Sequence, residues 1–439
     1  MQKIKAFLKR FPRHWVVAAS AWASRAVIAV IQVISVRTLL MYLGEERYAA
    51  YTIAYSLAGW FMLCDCGIGA ALQNFISEGR ARNKNYDGYL RAALQISLFL
   101  VVLFMLLLFL LSPFIQHKIF IKYLHIQEIN AVNIIAITGA VVILSAIVNI
   151  IYKVYYAFQK GYVSNILPAL SMIVSMALIV LVNRYSNVRE SILLALLIFT
   201  LPQLITALIP FIKVFKGFFA DIFNFNFDVI KELGLRAGKF FGFAIMSAAT
   251  LQMDYIIMSQ HIGPSDITSY NILNRVFMLL MFIQTAVLSA AWPVCSELFH
   301  KCEFNLIKSM LKKYILFGFS ITLLGSILIY SFSDAIIHIL APETSINPAF
   351  IFFALFALYY LIRIWSDTFA MFLQSINALR IFWIYVPFQA LISCAGQIYF
   401  SSKYGVYGIL IGLILSFILT SCWVLPYKTW KVFKSKEPV

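Results

Sequence analysis

Nine stretches of this chain run for at least 19 residues without an Asp, Glu, Lys or Arg: 92–117, 129–152, 161–183, 191–212, 276–296, 314–333, 344–362, 381–402 and 404–427. A helix needs about 20 residues to cross a hydrocarbon core, so each stretch can span a bilayer. Three further apolar segments, near 15–43, 48–76 and 238–260, are long enough but are interrupted by charges. Twelve crossings result. Lipid offers no partners to open backbone, so the crossings must be α-helices; the alternating pattern of a membrane β-barrel is absent. Only 12% of the residues are charged, against about 25% in soluble domains. The expected fold class is all-α and polytopic.

Charge sets the orientation. With twelve spans, 25 of the 35 lysines and arginines fall in segments on the side of the N-terminus, six on the other side and four within spans. That asymmetry places both termini in the cytoplasm. The net charge of +17 is thus spread over short loops as an orientation signal, and no nucleic-acid partner is expected. The basic start runs into a span too long for a cleaved signal, which reads as a retained anchor. The six cysteines show no disulfide or zinc spacing. Cys64 and Cys66, read as part of a helix, point roughly 200° apart, so neither a metal nor another cofactor is expected there.

The longest cytoplasmic segment, 215–239, divides the crossings six and six, with an N-terminal lobe over 1–219 and a C-terminal lobe over 220–439. Its aromatic and charged residues suit a segment lying along the membrane interface. A shift of 219 residues lays the first hairpin of one half on that of the other. Gly44 then meets Gly263, Tyr51 meets Tyr270, Ala71 meets Ala290, and Ser77-Glu78 meets Ser296-Glu297. Two six-helix lobes of equal orientation imply a pseudo-two-fold axis along the membrane normal, as in parallel-repeat transporters.

Seven ionisable residues lie inside spans: Arg25, Arg37, Asp65, Asp254, Arg275, Arg363 and Asp367. Each costs ~2.5–3.5 kcal/mol at a helix centre, so each is a candidate functional group facing protein or water. Arg25 and Asp65 stand 20 residues either side of position 45, which predicts one level near mid-membrane. Asp254 and Arg275 are nearly equidistant from Pro264, and Arg363 and Asp367 are one turn apart on one face. One reading makes these structural ion pairs. The other makes Arg25, Arg275 and Arg363 anion-binding groups in a cationic cavity, with Asp65, Asp254 and Asp367 as ion-coupling partners. Arg37 joins them or snorkels to the external surface. Gly67 and Gly69 leave one side of the second span slim below Asp65, allowing close contact or a bend.

The stretches LMYLGEERYAAYTIAYSL, CDCGIGAALQNFISEGRA and IKELGLRAGKFFGFAIM resemble the Wzx-type polysaccharide flippases, of the superfamily that also contains MATE exporters and the lipid II flippase MurJ. Leu43-Gly44 with the acidic/Tyr turn to Tyr48, and Asp65 to Ala71, carry the likeness; Gln73-Asn74 stands where a basic residue is often found. The resemblance implies a bacterial inner-membrane protein that moves undecaprenyl-pyrophosphate-linked oligosaccharide, such as an O-antigen repeat unit, to the periplasmic leaflet by alternating access. Ion coupling, to protons or sodium, and contact with other polysaccharide-assembly membrane proteins are implied with it. Two alternatives stay open. A MATE-like exporter of cations would want an acidic cavity, whereas the spans hold four Arg to three Asp. A membrane polymerase or glycosyltransferase would need a catalytic external loop, and the largest, around 112–130, offers only His117, His125 and Glu128.

Overall fold

The computed structural model describes residues 13–435 apart from 82–83, 120–130, 186–190, 343–347, 377 and 379. His125 and Glu128 lie outside the described residues. Sixteen α-helices and no strand occur among those described. They are α1 (Arg13–Phe61), α2 (Ile68–Ala81), α3 (Asp87–Ile119), α4 (Ala131–Val148), α5 (Ile150–Ala157), α6 (Gly161–Tyr185), α7 (Ile192–Phe215) and α8 (Phe227–Leu251). There follow α9 (Asp254–His261), α10 (Pro264–His300), α11 (Phe304–Ser331), α12 (Ser333–Leu340), α13 (Phe350–Ser375), α14 (Arg380–Tyr404), α15 (Val406–Leu419) and α16 (Ser421–Ser435).

Ten of the described helical runs are long and apolar enough to cross a membrane, and the pair α8–α9, bent by 41°, makes an eleventh. The first run, Ala19–Asp65, is 47 residues long and counts twice, because Gly44 breaks it with non-helical angles (φ 72, ψ 171). Twelve crossings therefore stand. Gly44 adopts a left-handed φ that L side chains avoid, which is why a glycine occupies this hairpin tip. At the equivalent place in the second half, Gly263 precedes Pro264, the first residue of α10, where a missing N–H is harmless. The paired tyrosines of the two hairpins, Tyr51 and Tyr270, are both buried. Outward faces carry bare apolar side chains, such as Phe99, Val102 and Phe109 on α3, which suits lipid as the surrounding medium.

The chain gathers into two compact units, Met1–Ile245 and Met246–Val439. In the first, α1 packs on α6, α4 and α7, and α2 on α5. In the second, α13 is central, touching α10, α11, α15 and α16. A 3-10 turn at Lys216–Phe218 leads into α8, whose first half folds with the N-terminal unit. The division between the two compact units falls inside α8, after Ile245.

The tightest helix pair is α14–α15, and it is made by glycine. A Cβ on Gly412 would overlap the Gln397 backbone, one on Gly408 the Phe400 carbonyl, and one on Gly396 would come within 3.2 Å of Gly412 Cα. In lipid, where hydrophobicity gives helices no reason to associate, such small-residue contact supplies the attraction. Gly412→Leu should therefore abolish the monodisperse folded protein in detergent. Gly234→Ala, in open space on α8, should raise the thermal midpoint, by up to ~1 kcal/mol of helix propensity. Size-exclusion melting curves of the two variants check both.

Candidate functional site

The second crossing does not run on through Asp65 as one helix. It tightens into a 3-10 turn, Met62–Asp65, after which Cys66 (φ 47) and Gly67 (φ 76) turn left-handed before α2 begins. The Asp65 carboxylate accepts from Gly67 N at 3.0 Å and from the Gly69 amide. It thus caps the first turn of α2, where orphan amides and the helix dipole favour an anion. The cation that acts on it is Lys153 of α5, and no ion pair joins it to Arg25 among the described residues. The level pairing expected from residue counting fails because the chain breaks at residue 66. The helical geometry that separated Cys64 from Cys66 fails with it. Among the described residues, no cluster of His, Cys, Asp or Glu could hold a metal.

Close packing explains the glycines. A Cβ on Gly67 would lie 2.5 Å from the Ala237 carbonyl oxygen and 2.9 Å from Phe241 N, so α8 rests directly on this turn. A Cβ on Gly69 would lie 3.1 Å from Lys153 Cγ and 3.2 Å from Asp65 Oδ2. Both expectations for this motif, contact and bend, are realised in one turn.

Arg25 lies on an exposed face of α1, within electrostatic reach of Tyr156. The Tyr156 hydroxyl donates to Asn165 Oδ1 at 2.5 Å, and Asn165 Nδ2 donates to Ser20 Oγ at 3.1 Å. Tyr156 and Asn165 flank the turn between α5 and α6, so Arg25 stands near that end of the hairpin rather than at mid-span. It is an arginine with polar neighbours and no carboxylate partner among the described residues. Arg37, also exposed, sits about two turns before the Gly44 break.

A polar clamp not anticipated from the sequence holds α8 to the first unit. Arg236 pairs with Glu78 at 2.7 Å and lies 3.8 Å over the Phe75 ring. Phe75 in turn stacks on Tyr89 at 4.1 Å, and the Tyr89 hydroxyl donates to Glu232 at 2.6 Å. Arg91 pairs with Asp221 at 3.2 Å, while Gln95 Nε2 donates to the Ile222 and Asn224 carbonyls at 2.7 and 3.1 Å. The available signal was Glu232 and Arg236, one turn apart on a segment read as lying along the membrane interface.

In the second unit, Asp254 follows the break in the seventh crossing and opens α9. Its carboxylate accepts from Tyr255 N at 2.9 Å and from the Tyr270 hydroxyl at 2.9 Å. The partner expected from depth, Arg275, is replaced by this hydroxyl; Arg275 itself is half-buried on α10. Across the same break, Ser393 and Cys394 of α14 donate to the Thr250 and Ala249 carbonyls at 3.1 and 3.4 Å. Arg363 and Asp367 do meet, at 3.3 Å, and Arg363 also donates to the Tyr359 hydroxyl at 3.0 Å. Its guanidinium lies 5.5 Å over the Phe417 ring.

Twelve crossings in two units, with arginines and aspartates kept inside them by hydrogen bonds, make this a multi-pass membrane protein of transporter architecture. The chain belongs to the polysaccharide biosynthesis protein family, whose model matches residues 17–299; the MatE model matches residues 241–396. A putative O-antigen transporter of Salmonella typhi is 38% identical over 438 residues, covering 100% of both chains. A putative O-antigen export protein of Yersinia pseudotuberculosis is 38% identical over 426 residues, covering 95% of this chain and 96% of its own. Among solved structures, an inward-facing multidrug resistance MATE family transporter of the MOP superfamily superposes with TM-score 0.71 at 15% identity, over 93% of this chain and 96% of the other. Lipid II flippase MurJ, in an inward closed conformation, gives 0.70 at 14% identity, over 96% and 90%. At such identities the likeness is one of fold.

The cap and the charge of Asp65 are separable. Asp65→Asn keeps an oxygen for Gly67 N and should leave the thermal midpoint near wild type, whereas Asp65→Ala should cost about 1 kcal/mol. Gly67→Ala, with no room for a methyl, should fail to give folded protein. Melting of purified variants reads all three.

Proposed function

We propose that this protein carries a lipid-linked O-antigen repeat unit, a glycan on undecaprenyl pyrophosphate, from the cytoplasmic to the periplasmic leaflet of the bacterial inner membrane. Both termini face the cytoplasm. Its work is transport by alternating access, not covalent chemistry. The observation that carries the reading is the end-to-end match to relatives named as O-antigen transporters. The geometry adds Arg25, an open cation near one end of its crossing, which suits first contact with a pyrophosphate. Arg363, Arg275 and Arg37 are the further anion-binding candidates. The MatE match supports a shared fold, and the relatives favour the glycan substrate over a small cation.

Coupling to an ion gradient falls most naturally to Asp367. Asp65 and Asp254 are held by backbone amides, so losing their charge releases little. Asp367 holds Arg363, and its protonation would free that guanidinium for substrate phosphate. Other polysaccharide-assembly membrane proteins are natural neighbours for a protein with this role.

One combined variant tests the assignment in a strain lacking its own exporter. Arg363→Ala alone would strand Asp367 in the membrane, so the double change Arg363→Gln/Asp367→Asn is used, and Arg25→Ala is combined with it. Surface O-antigen should fall to the level of the uncomplemented strain while membrane levels of the protein hold. Wild-type export from the triple variant would reject these arginines as the phosphate-binding groups. In liposomes, a rate indifferent to both proton and sodium gradients would reject coupling.

A further inference from the structure

A cavity of about 310 Å³ opens on the second unit between α11, α13 and α16. Leu311, Ile315, Trp365, Phe369 and Phe433 line it, and its lip carries Lys308 and Lys312. The lining is almost wholly apolar, and the Trp365 Nε1–H is already engaged by the Cys422 carbonyl at 2.8 Å. Apart from the lysines, no lining side chain has a free hydrogen-bonding group.

The two lysines, both exposed, suit an anion. They are four residues apart on one helix, on the same face, where like charges repel. Neither forms an ion pair among the described residues, and Asp367 of α13 is paired with Arg363. Lys308 leans 5.3 Å over the Phe433 ring instead. Two basic helix ends meet at this place, because Phe304 at the start of α11 packs against Phe433 near the end of α16, with ring centroids 6.0 Å apart. Lys428, Lys431 and Lys434 belong to that end of α16, and both ends carry the cytoplasmic excess of lysine. Further along α11, Leu316, Leu323, Leu324 and Ile327 are exposed apolar side chains.

We propose that this groove is a binding site for an anionic phospholipid of the cytoplasmic leaflet. Its phosphate sits between Lys308 and Lys312, and one acyl chain lies along Leu311, Ile315 and Phe369. An apolar slot with cations only at its interfacial end matches an amphiphile with one charged end. Charges near an anionic leaflet act over a short range, so the headgroup must reach the lip itself. The site is separate from the arginines assigned to the glycan carrier and does not depend on the identity of the cargo.

Full-length protein in nanodiscs of mixed phosphatidylglycerol and phosphatidylcholine tests this, with retained lipid counted by native mass spectrometry. Wild type should keep phosphatidylglycerol in preference to phosphatidylcholine. Lys308→Gln/Lys312→Gln should lose that preference by about tenfold, since each surface cation contributes to anionic-lipid attraction, while Lys403→Gln at the opposite membrane face retains it. Ile315→Trp, which fills the slot but spares both lysines, should also lose retained lipid; each variant's melting midpoint confirms that it is folded. Equal retention of the two lipids by wild type, or an unchanged preference in either groove variant, would overturn the proposal. Displacement of phosphatidylglycerol by an equimolar polyprenyl monophosphate would overturn it too, assigning the groove to the carrier lipid instead.

Discussion

Every backbone N–H and C=O that enters hydrocarbon must find a partner inside the protein, and the rest of this structure depends on how that demand is met where helices break. An unbroken crossing satisfies it automatically. A break leaves orphan amides on one side and orphan carbonyls on the other. The chain breaks after Asp65 and again before Asp254, and each break carries an aspartate. Asp65 takes the amides of Gly67 and Gly69, and Asp254 takes the amide of Tyr255. On the carbonyl side of the second break, Ser393 and Cys394 of α14 reach in to donate. Near the α15–α16 junction, Trp365 of α13 donates at 2.8 Å to the Cys422 carbonyl, which Pro426 four residues on has no N–H to satisfy. Polar residues within this membrane protein are therefore placed first by backbone geometry.

That ordering changes how intramembrane charge is read. An aspartate in a span looks like half of an ion pair when the span is taken as a continuous helix. Once the helix ends there, peptide dipoles and amides supply the compensation, and an arginine counted as its partner becomes available for something else. Arg25 is the example: no carboxylate answers it among the described residues, and its neighbours are the hydroxyl and amide groups of Tyr156 and Asn165. Arg363 is the contrast. Residues 363 and 367 lie in an unbroken α13, so the one-turn spacing holds and the pair forms.

The same distinction explains what was legible in the sequence. Twelve crossings, the hairpin tips at Gly44 and Gly263, and the Arg363–Asp367 pair follow from run length, backbone permissiveness and helical period, which are local properties. The position of Asp65 against Lys153, the Asp254–Tyr270 bond and the clamp from Phe75 and Tyr89 to Arg236 require knowing where helices stop and which ones touch. Cys66 shows why: nothing in Cys-Asp-Cys-Gly announces a left-handed residue, and one such φ invalidates any depth counted along a straight rod. Gly67 carried the missing signal, since two glycines flanking one apolar residue just after an acid are as much a turn as a slim helix face.

The clamp also decides what α8 is mechanically. Its first half is tied to the N-terminal unit by an ion pair, a cation over an aromatic ring and a tyrosine–carboxylate bond, and by direct backbone contact at Gly67. Its far end, past Ile245, has its last carbonyls held by α14 of the other unit. A helix bends where its ladder is already open. In α8–α9 that place is Gln252–Met253, beside a buried carboxylate whose partners are a tyrosine and a peptide amide rather than a fixed counter-ion. The 41° bend of this crossing thus falls where a carboxylate meets open backbone.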